Sequence, residues 1–131
     1  MIYLFLLGRL IVGAYYIHSG WKHFKNHAAM VGYAKTKKAP MPELTIPLTG
    51  AFLVIAGLSF LLGAYPLIGA LCLVAFFVPV TFMMHDYWNV QDPQMKSAQR
   101  INFEKNMALL GSGLMFLAIQ NPWPLSLGLH F

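Results

Sequence analysis

Apolar residues along this chain gather into four long runs, parted by shorter stretches where lysine, proline and amides collect. The runs cover residues 2–20, 46–64, 66–84 and 103–121. About 20 mostly apolar residues in a helix cross the roughly 30 Å hydrocarbon core of a bilayer. The pattern therefore predicts an all-α integral membrane protein, a four-helix transmembrane bundle formed by one domain over residues 1–131. Thr45 is placed to cap the second run, with Pro47 in the tolerant first turn. A proline opens the third run, and Pro122 and Pro124 stop the fourth. The first run lacks the basic start and small-residue cleavage pattern of a signal peptide, so it is expected to remain as a helix.

Between the first two runs, Trp21, Phe24, Ala28 and Val31 recur at helical spacing, while Lys22, Lys25 and Asn26 fall on other faces. That pattern predicts an interfacial amphipathic helix in residues 21–34, with lysines directed at lipid headgroups. The stretch KTKKAPMPEL, with Pro40 and Pro42, reads as an extended turn, as does the polar stretch 89–97.

Composition sharpens this picture. Hydrophobic residues make up 58% of the chain and charged residues 10%, against about 45–50% and 25% in soluble domains. This argues against a soluble enzyme and excludes a disordered chain. The net charge of +5 suits a membrane surface better than nucleic acid, because the charges sit between apolar runs. Lys22, Lys25, Lys35, Lys37 and Lys38 fall in one connection, and Lys96, Arg100 and Lys105 in or beside another. The positive-inside tendency puts both connections in the cytoplasm and both termini outside it. The lone cysteine, Cys72, rules out an internal disulfide and reads as a small packing residue.

Arg9 is the costliest residue to place, since arginine at mid-bilayer depth costs about 2.5–3.5 kcal/mol on insertion scales. It reads either as a cation holding an anionic or quinone-like carbonyl group, or as a snorkelling arginine bonded to backbone carbonyls, to Gln120 or Asn121, or to lipid phosphate. All four carboxylates lie at the other end of the spans. Gly13, Tyr16 and Gly20 share its helix face, which admits a closely packed second helix or a flat ring. Ala108 and Ser112 form a small-residue step for helix packing, and Pro79 frees the Ala75 carbonyl.

A second cluster gathers at the lysine-rich end. His85, Asp86 and Trp88 follow the third run, and Glu104, Lys105 and Asn106 begin the fourth, with His18 and Lys22 at the same level. These side chains suit a proton relay or a grip on a polar head, although Trp and Lys also anchor helices at that depth. His23 and His27 are four apart, yet they lack a third ligand, so no metal is expected. No phosphate loop, Ser-His-Asp set or zinc pattern is present.

The opening LGRLIVGAYYIHSGWKHF resembles the first helix of the DoxX family of small bacterial membrane proteins. GYAKTKKAPMPEL and MMHDYWNVQDPQMKSAQRINFEKNMALLGSGLMF resemble the matching loop and last helix of a DoxX-like branch. The motif residues are Arg9, Gly13, Gly20 and Lys22, then His85, Trp88, Asp92-Pro93, Lys105-Asn106 and Gly111. Many members carry a Glu in the second helix, whereas Leu53–Gly57 has none, so Arg9 needs a different partner here. The resemblance implies a four-helix fold in the bacterial cytoplasmic membrane and a link to a thiosulfate:quinone oxidoreductase. An accessory redox subunit binding a quinone through Arg9, Tyr16, His85, Lys105, Asn106 or Gln120 follows as the leading expectation, with a soluble or membrane oxidoreductase as partner. The alternative is a non-catalytic lipid-binding or assembly protein. A homo-oligomer stays open.

Overall fold

The structure, a computed structural model, describes residues 1–131. Five helices follow one another: α1 (Ile2–Lys25), α2 (His27–Thr36), α3 (Pro42–Leu62), α4 (Pro66–Met84) and α5 (Pro93–Met115). Two 3-10 turns add Tyr87–Asn89 and Phe116–Ala118, and there is no strand. α1, α3 and α4 are long and apolar enough to cross a membrane. α3 packs between α1 and α4, and α5 packs on α4. The α1–α3 and α4–α5 connections therefore share one end of the bundle, the lysine-rich end.

The seam between α1 and α3 rests on paired glycines. A methyl group on Gly13 would come within 2.9 Å of the Gly57 carbonyl oxygen, and one on Gly57 within 2.7 Å of the Gly13 oxygen. Gly20 and Gly50 repeat the arrangement one heptad away, at 2.6 and 3.0 Å. Residues 13, 20, 50 and 57 thus let two antiparallel backbones touch, the close approach that substitutes for hydrophobic driving force in lipid. Above the seam, Tyr16, Leu53, Phe60, Leu73, Phe76 and Phe77 form the buried core.

Several boundaries differ from the sequence expectation. α1 continues to Lys25, so Trp21 and Phe24 extend the first span and stay exposed. The interfacial arm is the shorter α2, and it buries Val31 and Ala34 against Ile46. α3 starts at Pro42, which occupies its first turn, leaving Pro47 inside the helix rather than at its start. Proline has no N–H for the carbonyl four residues back, and His27 Nε2 takes over the Glu43 carbonyl at 3.1 Å. α5 begins earlier than the fourth run, where the Asp92 carboxylate accepts from the Met95 N–H at 2.9 Å and Pro93 opens the helix. The polar stretch read as a turn is therefore partly helix.

The apolar part of α5, residues 103–115, and its 3-10 extension reach only about 25 Å, short of the bilayer core. Residues 119–131 make up the difference by folding back over the end of the bundle. Trp123 is buried there against Phe5, Phe60 and Phe116. Backbone bonds from Leu127 N to Leu62 O at 3.0 Å and from Tyr65 N to Leu129 O at 2.7 Å stitch the segment down.

Candidate functional site

A helix ends with carbonyls that have no partner in the next turn. α3 ends beneath the folded-back residues 119–131, where those of Ser59 to Leu62 find their partners. Ala64 N–H donates to Ser59 O at 2.9 Å and Leu127 N–H to Leu62 O at 3.0 Å. Arg9 supplies the two between them: Nε donates to Phe60 O and Nη2 to Leu61 O, both at 3.0 Å. Its Nη1 donates to Pro124 O at 2.7 Å and Leu125 O at 3.1 Å. The guanidinium also lies 5.7 and 5.8 Å from the Phe5 and Trp123 ring centres. Gly63, at φ +63, leaves room for it, since a methyl group there would sit 2.7 Å from Nη2. Arg9 is 1% exposed. It works as a cap on α3 delivered by α1, its charge facing the negative end of that helix dipole, and no carboxylate takes part.

The lysine-rich end is built differently. α1 and α5 form opposite walls of a cavity without a packed seam between them. Its volume is about 770 Å³, within the ~300–1,000 Å³ range of small-molecule sites. Leu53, Phe76, Phe77 and Val80 give it an apolar floor, and α2 contributes Met30 and Tyr33. Tyr16 stands on the α1 wall, completely buried, and its hydroxyl has no hydrogen-bond partner. Ser112 lies alongside that hydroxyl, but its own is turned onto the Leu109 carbonyl at 2.8 Å. Asn106 stands on the α5 wall, 6% exposed. Buried polar groups are nearly always paired, so the unpartnered Tyr16 hydroxyl on a cavity that Asn106 also lines marks it as a candidate site. The other buried atoms without partners are Thr81 Oγ1 on α4 and Trp123 Nε1 at the Arg9 end.

At the mouth, His85 Nδ1 bonds Gln99 Oε1 at 2.7 Å, Gln99 Nε2 donates to Tyr33 Oη at 3.2 Å, and Tyr33 donates to Met84 O at 2.8 Å. This chain ties α2, α4 and α5 together and leaves His85 Nε2 without a protein partner. Burial pushes the His85 imidazole below the ordinary histidine value; Gln99 opposes the shift, while the charges of Lys105 and Lys37 reinforce it. Lys37 pairs with Asp86, which holds that carboxyl below the usual carboxylate range.

The cavity thus brings together Tyr16, His85, Lys105 and Asn106, with His18 and Lys22. Arg9 and Gln120 lie elsewhere. Arg9 is expended on backbone carbonyls, and Gln120 and Asn121 are exposed and take no part in holding it. Tyr16, on the cavity wall, lies about 10 Å further along α1, seven residues from Arg9. Gly13 and Gly20 pack as expected. Ser112 is half-buried, but Ala108 is exposed, and the close approach on α5 belongs instead to Gly113 against Leu73. Tyr33 falls off the apolar spacing of residues 21–34, and Gln99 lies between the polar stretch 89–97 and the fourth run, so neither carries a sequence signal of its own. His23 contacts Ser19 O and the Phe76 ring, apart from His27 on the Glu43 carbonyl, and nowhere do three His, Cys, Asp or Glu side chains gather as a metal site.

Helices of this length and hydropathy, folded around an internal cavity, define a small multi-pass membrane protein associated with the lipid bilayer. The chain belongs to the DoxX family, whose pattern matches residues 4–86. That match holds α1 to α4, Tyr16 and His85, while the α5 wall with Lys105 and Asn106 lies beyond it. No curated protein and no solved structure matches the chain.

Proposed function

We propose that this protein is an accessory subunit of a membrane redox system that holds a quinone or similar lipid-soluble ring between its helices. The observation that carries this reading is the cavity that Tyr16 and Asn106 both line, with the Tyr16 hydroxyl buried and without a hydrogen-bond partner. A ring carbonyl would accept from both, above a floor of aromatic and branched apolar side chains. His85 Nε2 offers a proton-accepting atom toward the mouth. The chain has no catalytic motif of its own, so a membrane or soluble oxidoreductase would supply the chemistry. The lysine-bearing end faces the cytoplasm of a bacterial inner membrane, with both termini on the other side.

Calorimetry on the purified full chain with a short-chain ubiquinone or menaquinone analogue tests this directly. One saturable site per chain is expected, weakened about 5–10-fold by Tyr16→Phe, as for loss of one hydrogen bond. Absence of saturable binding to the folded protein would overturn the reading and favour the assembly role, which is consistent with Arg9 serving the fold alone. Labelling of single cysteines at positions 35 and 96 tests orientation; both are expected to react from the cytoplasmic side.

A further inference from the structure

The lysine-rich end carries a charge pattern that a neutral ring does not require. Lys22 on α1 and Lys105 on α5 line the cavity. No carboxylate pairs with either; Lys105 has only the Asn102 Oδ1 at 3.5 Å. Every acid in the chain is engaged elsewhere. Glu43 pairs with Lys35, Asp86 with Lys37 and Glu104 with Arg100, while Asp92 caps α5. The cavity wall includes no Asp or Glu at all. Its polar groups are ammonium, imidazole, phenol, hydroxyl and amide, all able to donate to an anion.

We propose that the cavity takes an anionic amphiphile, a carboxylate or phosphate head held between Lys22 and Lys105 with its apolar body on Phe76 and Phe77. Lys22 lies six residues from Tyr16, about 9 Å along the helix. A molecule of that length thus reaches from the lysines to the level of Tyr16. α1 and α5 have no packed seam between them, which leaves that side as the way in. This inference shares the cavity with the quinone reading and names the charge its ligand carries; it does not depend on the ring.

The test uses full-length protein in vesicles of zwitterionic lipid, so that bulk anionic lipid does not compete. The probes are dodecyl phosphate, inorganic phosphate, a neutral short-chain quinone and the same quinone with a terminal carboxylate. The protein is compared with Lys22→Gln/Lys105→Gln and with Lys38→Gln/Lys96→Gln, which removes equal charge away from the cavity. Dodecyl phosphate is expected to bind saturably, to weaken at least tenfold in the first variant, and to be unchanged in the second. The carboxylated quinone is expected to bind at least tenfold tighter than the neutral one.

Equal losses in both variants would reduce the lysines to surface anchors and overturn the inference. Inorganic phosphate binding as tightly as dodecyl phosphate would overturn it too, since the apolar body would then contribute nothing. Neutral quinone binding with no preference for the acid would overturn it while leaving the quinone reading intact. Dodecyl phosphate binding that depends on Lys22 and Lys105, with no binding of either quinone, would support it and remove the quinone reading.

Discussion

The two ends of this bundle handle buried polarity in opposite ways. At the Arg9 end, one guanidinium takes four carbonyls, two from the last turn of α3 and two from Pro124 and Leu125, and Trp123 Nε1 is the one buried polar side-chain atom left without a partner. Toward the lysine-rich end, the Tyr16 hydroxyl remains unpaired beside an open cavity, at which the exposed Lys22 and Lys105 have no carboxylate partner. A polar group left unsatisfied in a low-dielectric interior is costly. A chain that meets the carbonyl ends of α3 so fully, yet leaves Tyr16 bare, has a structural end and a candidate site at the other. The side chain that looked most like a binding residue belongs to the first.

The largest expected effect comes from breaking the satisfied end. Arg9→Leu strands four carbonyls and should cost more than about 3 kcal/mol, each charged hydrogen bond contributing roughly 1.5–3. Thermal unfolding in detergent should show a large drop in midpoint, with residues 119–131 becoming sensitive to protease. Trp123→Ala removes the side chain packed among Phe5, Phe60 and Phe116 and should cost about 3 kcal/mol, with the same protease signature. Gly57→Ala forces a methyl group onto the Gly13 carbonyl and should cost about 1–3 kcal/mol by overpacking, read in the same assay without exposing the tail. Tyr16→Phe sharpens the contrast. Removing an unpartnered hydroxyl should leave the midpoint unchanged or slightly raised, so a loss there as large as that of Trp123→Ala would mean the lysine-rich end is structural as well.

Acid provides the smallest and most specific effect. His85 is held neutral by burial, so it gains its proton at lower pH in the folded chain than in the unfolded one. Stability from this group is fully present above the ordinary histidine value, about 6.5. It declines as pH falls from there toward the folded value, because the unfolded chain then binds more protons. Unfolding midpoints measured from pH 7.5 to 5 should fall in the wild type and fall less in His85→Gln.

Much of the fold was legible beforehand because bilayer thickness imposes a length on apolar runs, and prolines mark where they open. The third run, 66–84, coincides with α4, whose first residue is one of those prolines. The fourth run ended up divided between a helix and a folded-back segment, since the prolines at 122 and 124 stop a helix without saying where the chain goes next. Of the site, His85, Lys105 and Asn106 could be grouped from their common level at the ends of neighbouring spans. Tyr16 was visible only as a residue on the Arg9 face.

The amino-acid order alone determined the solvent of this protein, the number and antiparallel succession of its long helices, and the gathering of lysines at one end. Those properties depend on local hydropathy and on charge counted along the chain. Tertiary structure alone decided the use of Arg9 and the existence of the cavity. Both depend on distances between residues far apart in sequence: Arg9 against Phe60 and Pro124, Tyr16 against Asn106. Such distances are set by how glycine-lined helices pack and by where α5 stands relative to α1, and no periodicity within a single segment encodes them.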